Sequence, residues 1–296
     1  MKKPITYILL IVSTLSLMAQ SDVIEAKVFE PGLISLPDTW DEYLSFSPDG
    51  TLIAFNRRGA NLTYKGYRIY LTKKVNGKWT NPIAAPFSTS EFQDRAPSFS
   101  PDGNIMYFSS NRPINSDSST PTRRMDLWYS EKKNDGGWSE PVWMGETINL
   151  PGETEGHPTV TKNGNLYFVR FGSRETDIYF SEKGDQAPVM LGSEINNEGP
   201  DSHPYIDPEE RFLIYTPTGR EDGYGGGDIY VSFKQQGAWT VSKNIGQPVN
   251  TEWYEYSAKV GPDGNLYFTR AGFGEPARKA ADIYYVPLND IKVKFK

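Results

Sequence analysis

Apolar and polar residues alternate with a period of two over most of the chain, in short runs broken by Pro, Asp, Asn and Gly. That pattern predicts β-strands joined by tight turns. The pattern also repeats. Five segments superimpose on their turns: DEYLSFSPDGTLIAF (Asp41 to Phe55), DRAPSFSPDGNIMYF (Asp94 to Phe108), EGHPTVTKNGNLYF (Glu155 to Phe168), DSHPYIDPEERFLIY (Asp201 to Tyr215) and EYSAKVGPDGNLYF (Glu255 to Phe268). In each, one alternating stretch enters a turn and a second leaves it, as in a β-hairpin. A third strand follows every copy, beginning at Tyr67, Met125, Thr176, Gly227 and Ala281, and a fourth is usually introduced by tryptophan, at Trp79, Trp138 and Trp239. The turn positions Gly50, Gly103, Gly164, Glu210 and Gly264 lie 53, 61, 46 and 54 residues apart, room for four strands per unit. The expected fold is therefore all-β, a five-bladed β-propeller of four-stranded blades. The last copy has three clear strands, and Lys27 to Ser35 ahead of the first supplies a spare one. This N-terminal strand is expected to close the last blade and remove an open sheet edge.

The front of the chain adds a compartment. Lys2 and Lys3 precede an apolar run from Ile5 to Met18 that ends in Ala19-Gln20. This reads as a cleavable signal peptide over residues 1–19, followed by a single propeller domain over 20–296, periplasmic or secreted. No later segment is long and apolar enough to span a membrane. The chain has no cysteine, which excludes disulfides, thiol chemistry and cysteine metal ligands. Losing Lys2 and Lys3 lowers the basic count from 31 to 29 against 37 acidic residues, a net charge of about −8, so nucleic acid is not an expected partner. A monomer is expected.

The Ser-Pro-Asp-Gly turns, the Asp-Ile-Tyr third strands, Ser-Asn-Arg at Ser110 to Arg112 and the glycine-rich Gly223 to Asp228 together resemble the TolB-type propeller repeat, the Pro-Asp relative of the Trp-Asp repeat. The resemblance spans nearly all of the chain after the signal. It departs from the pattern where Lys162-Asn163-Gly164 and Pro208-Glu209-Glu210 replace Pro-Asp-Gly, and in having five copies where TolB has six blades. It implies a binding scaffold. Similar repeats in secreted bacterial proteins accompany polysaccharide-degrading systems, and some such propellers are lyases of uronate-containing glycans.

In a propeller blade, the start of the first strand and the end of the second share one face. Asp41, Asp94, Glu155, Asp201 and Glu255 occupy one such position in all five copies, either capping their own loops or gathering a cation. The only two histidines, His157 and His203, share one register in adjacent copies. They are candidate proton-transfer groups, with Tyr256 alongside, or ligands of one divalent metal with Glu155 and Asp201. Arg57, Arg170 and Arg270 follow the second strand, and with Tyr224 they are candidates to hold a ligand carboxylate, though they could equally neutralise the acids. These parts suit elimination on an acidic, uronate-containing oligosaccharide by a lyase or dehydratase. The alternative is a non-catalytic propeller that binds a glycan, a peptide or an envelope protein.

Overall fold

The computed structural model describes residues 24–59, 66–115, 120–172, 176–272 and 281–295; the expected signal peptide over residues 1–19 lies outside them. The described residues are all-β apart from two short 3₁₀ turns. No helix among them is long and apolar enough to cross a membrane.

The strands form antiparallel modules, each made of one repeat. The inner strands are Thr39–Phe46, Asp94–Phe99, Glu155–Val160, Asp201–Ile206 and Tyr254–Val260. Each pairs with the strand that follows its turn, and that strand with a third. Short outer strands complete the sheets, at Ile83–Ala84, Val142–Trp143, Val189–Met190 and Lys243–Asn244. The expected N-terminal strand is present as Lys27–Val28, which pairs antiparallel with Tyr284 and Tyr285 at the free edge of the fifth module. Phe29 carries that attachment inward, buried against Phe46, Tyr267 and Tyr285. Deleting residues 24–36 should expose the edge of Ala281–Pro287 and convert the protein to concentration-dependent aggregates on gel filtration.

Side-chain chemistry explains why the repeat punctuates the chain as it does. In the first turn Ser47 Oγ donates to Asp49 Oδ1 (2.6 Å) and accepts the Leu52 amide (2.9 Å), which closes the hairpin tip. Gly103 sits at φ +75°, and a Cβ there would meet Pro48 of the previous turn at 3.0 Å, so the glycine serves both the turn and the packing of turn on turn. The closing Asn149, Asn196 and Asn250 substitute for a strand. Each side-chain amide accepts the N–H and donates to the C=O of one third-strand residue, Leu127, Ile178 and Ile229 respectively. Between the sheets, alternate residues such as Phe55, Phe108, Phe168 and Phe268 are fully buried. Truncating one such ring to Ala costs about 3–5 kcal/mol.

The inner strands lie side by side around a common axis, each touching the inner strand of the next module and the fifth touching the first. Each carries a register shift, and one residue in it takes a left-handed conformation: Tyr43, Ala96, His157, His203 and Ser257, all with φ between 52° and 56°. These are β-bulges, which re-aim side chains out of the sheet. Both histidines are bulge residues.

Candidate functional site at one mouth of the channel

The bulges gather the two imidazoles. His157 and His203 are stacked, with ring centroids 4.2 Å apart and planes 19° apart, and both are half-buried. Tyr43, the bulge residue of the first module, stacks on both at 5.4 and 5.7 Å. Tyr256 lies 5.0 Å from His203, and Phe171 meets His157 edge-on at 5.5 Å. The sequence-selected trio of His157, His203 and Tyr256 is therefore one cluster.

Hydrogen bonding bears on the tautomer of His203. When Ser202 Oγ gives its single proton to the Thr216 carbonyl (3.1 Å), the ring nitrogen is the donor in the 2.7 Å contact with His203 Nδ1. Nε2 of His203 then holds the lone pair, as a base requires. His157 Nδ1 has no hydrogen-bond partner among the described residues. Burial pushes the His203 imidazole down to about 3, helped by the Arg95 charge. Burial also lowers His157 well below the usual histidine range, assisted by His203, Arg95 and Lys259. Both rings are uncharged at neutral pH.

Beside them lies a group that the candidate set omitted. Glu42, only 2 % exposed, accepts a hydrogen bond from Tyr256. Burial raises its carboxyl, while Arg95, Tyr256 and Arg58 pull it back down. The Arg95 guanidinium lies 3.7 Å from the centre of the Tyr67 ring, and its Nε has no hydrogen-bond partner among the described residues. Arg58 stacks over Trp40 at 4.4 Å and Tyr67 at 4.9 Å. Among the described residues, both guanidiniums act on the Glu42 carboxylate. Tyr43 and Arg95 stand in the repeat columns immediately after the acids, the same columns that hold the histidines and Tyr256. Reading those columns across all five copies would have found them.

The arginines selected from the sequence do something else. Arg57 pairs with Asp41 (2.6 Å), Arg170 with Glu155 (2.9 Å) and Arg270 with Glu255 (2.7 Å), and the series continues as Arg112 with Asp94 and Arg220 with Asp201. All five carboxylates are fully buried. Each arginine also donates to a carbonyl of the chain entering its module: Ile34, Phe87, Ile148, Ile195 and Val249. The acids take amides of the same entering segments, as when Asp201 accepts from Asn197 and Glu255 from Thr251. This is a repeated internal tie between modules. The arginine clamp on a ligand carboxylate thus gives way to neutralisation of the acidic column.

The same ties occupy Glu155 and Asp201, the acids considered for a metal. Burial raises both carboxyls, Asp201 to about 7, against the pull of their arginines. Among the described residues no group of three or more His, Asp or Glu side chains gathers to hold a metal ion. Tyr224 is elsewhere as well. Half-exposed in the glycine-rich loop, it lines a small cavity of about 130 Å³ with Arg220 and Asp228, and its amide donates to the Asp228 carboxylate (2.5 Å).

Four-stranded antiparallel sheets whose inner strands surround one axis define a β-propeller. The fold is TolB-like: the structure of TolB from Agrobacterium tumefaciens superimposes with a TM-score of 0.51 at 15% identity, covering 80% of this chain and 72% of that one. A thermostable family-43 glycoside hydrolase gives a TM-score of 0.53 at 12% identity, over 88% and 96% of the two chains. A Hadza microbial sialidase gives 0.51 at 10% identity, over 86% and 66%. No protein-family model and no curated protein matches the chain. At such identities the likeness is one of fold, and function has to be argued from the site.

Proposed function

We propose that the protein is an exported, single-domain, five-bladed propeller, acting in the periplasm or outside the cell, whose histidine mouth binds the acidic residue of an oligosaccharide. Five repeats, the contact of the fifth inner strand with the first, and the N-terminal strand on the last module support the closed count of five. The observation that carries the binding reading is Arg95. It is a cation at the channel mouth with an unsatisfied Nε, set among the aromatic faces of Tyr67, Tyr43 and the histidines. Aromatic faces suit the apolar faces of sugar rings, and a guanidinium suits a carboxylate. The resemblance of the fold to a glycoside hydrolase and a sialidase is compatible with a saccharide partner.

Elimination at the same mouth is the second reading, and the tautomer of His203 favours it. A neutral imidazole with its lone pair on Nε2 can take a proton, and Tyr256, whose hydroxyl burial holds far above the usual phenol range, stays protonated and would have to leave Glu42 to donate. With Arg57, Arg170 and Arg270 committed to internal ties, neutralising a uronate carboxylate falls to Arg95. Binding needs only that contact, which is why it ranks first.

Titration calorimetry with uronate-containing and neutral oligosaccharides tests both readings. Arg95→Ala should weaken binding of the acidic ligand by about tenfold or more, the worth of one hydrogen bond to a charged group. Equal affinity for acidic and neutral ligands would remove the charge argument. Growth of the ultraviolet band of a conjugated unsaturated uronate, lost in His203→Asn, would promote elimination over binding.

A further inference from the structure

The channel has a second mouth, at the end bearing the Ser-Pro-Asp-Gly turns, and it opens into a cavity of about 460 Å³. Lys259 lines this cavity and is only 9 % exposed. Its Nζ reaches from the fifth inner strand to the second and donates to the Pro97 carbonyl (3.0 Å), its one hydrogen bond among the described residues. No carboxylate among the described residues pairs with it. An ammonium carries three donors, and burying a charge without a counter-ion is costly.

The neighbouring hydroxyls lean the same way. Ser45 Oγ accepts the Phe99 amide (3.2 Å) and Thr159 Oγ1 accepts the Ile206 amide (3.3 Å). Both oxygens are thus used as acceptors, and neither hydroxyl proton has an acceptor among the described residues. Both residues line the cavity with Lys259. The other charges at its rim are matched, Lys162 with Glu209 and Arg211 with Asp207, which leaves the lysine as the surplus.

We propose that the turn-side cavity is a second binding site, and that it takes the carboxylate of a small organic acid through Lys259, Ser45 and Thr159. An excess of donors selects a group that only accepts, and one ammonium is neutralised by one negative charge. A dianion such as phosphate would leave a surplus charge buried in the same place. The site lies apart from the histidine mouth, with Lys259 between them and its charge felt at His157.

The charge of the empty site is expected to be labile. Burial brings the lysine down to about 7. Of the titratable groups around it, burial lowers His157 on the far side, burial lifts the Tyr205 phenol above its usual range, and Lys162 and Arg211 each lie against a carboxylate at the rim. A bound carboxylate favours the ammonium form. Binding above pH 7 should therefore draw in a proton, and affinity should fall by about tenfold per pH unit once the free lysine is neutral.

The test is calorimetry on the full chain carrying Arg95→Ala, so that the histidine mouth is silenced, with sodium D-glucuronate, D-glucose and inorganic phosphate as probes. The expected result is one glucuronate bound, no glucose, weaker phosphate, and a heat at pH 8 that depends on the ionisation enthalpy of the buffer. Adding Lys259→Met should cost at least about tenfold in glucuronate affinity. That variant removes a buried charge, so its thermal midpoint should equal or exceed the parent's. Ser45→Ala, which leaves the lysine in place, should weaken binding several-fold and serves if Lys259→Met fails to fold. Unchanged affinity in both variants, the absence of proton uptake at pH 8, or binding of phosphate alone would overturn the proposal. Loss of the histidine-mouth site would leave this result untouched.

Discussion

Replacing Arg170 with methionine should destabilise the protein by about 3–5 kcal/mol, the cost of leaving one member of a buried ion pair alone. The pair is enclosed, with the Glu155 side chain fully buried and that of Arg170 10 % exposed, so solvent screens it little. Arg170 also donates to the Ile148 carbonyl, so its loss strips a partner from the segment entering the module as well as from the acid. For a domain of this size the thermal midpoint should drop by about 10 °C. The double variant Glu155→Gln/Arg170→Met should recover part of the loss, because the amide needs no counter-charge. Urea denaturation of the wild type, Arg170→Met, Glu155→Gln and the double variant gives the coupling directly. A loss below about 1 kcal/mol, the range of exposed pairs, would contradict the internal tie and return Arg170 to a solvent-facing role. Affinity for an acidic ligand, measured on the folded fraction, should not change.

That experiment bears on what could be read from the sequence. The repeat was legible because each unit uses the same turn chemistry and the same alternation, and both are local properties of the chain. Even the attachment of Lys27–Val28 to the fifth module could be expected, since a missing strand and a spare one are countable. The convergence of His157 and His203 followed from shared register, because equivalent positions in neighbouring repeats meet around an axis. The arginines stayed open between two roles for a different reason. Register places Arg57, Arg170 and Arg270 near the acids, but whether a guanidinium turns toward its own strand or toward the channel depends on which carbonyls the entering loop presents, and these lie 21 to 23 residues away in sequence. Lys259 escaped notice for the opposite reason. It is a single lysine in a column otherwise filled by Ser45, Ser98, Thr159 and Tyr205, and only the closed channel makes a lone cation there unusual.

The strongest pH effect should come from the stacked imidazoles, and its sign follows from their burial. Both are held below the ordinary histidine pKa of about 6.5, so the folded protein binds fewer protons than the unfolded chain as the medium becomes acidic. Their contribution is complete above about pH 6.5 and is lost progressively as pH falls toward 3, where His203 takes its proton. Charging both would place two cations 4.2 Å apart beside Arg95. Buried carboxyls work in the other direction. Asp201, raised to about 7, and Glu155 and Glu42, also raised, favour the folded state at low pH and lose that advantage as pH rises. A single pH profile therefore mixes opposite slopes, and a comparison is needed to isolate the histidines. His157→Asn/His203→Asn keeps residues that tolerate the left-handed bulge conformation while removing both titrating rings. Between pH 6 and 4 the wild type should lose stability faster than this variant by at least about 1 kcal/mol per pH unit, roughly the one proton that His203 refuses, with His157 adding to it in the same direction. Urea midpoints taken at half-unit steps across that window measure the difference. Parallel profiles would mean that the rings are solvated and charge freely, which would also remove the reason for assigning His203 a neutral, lone-pair-bearing Nε2 at physiological pH.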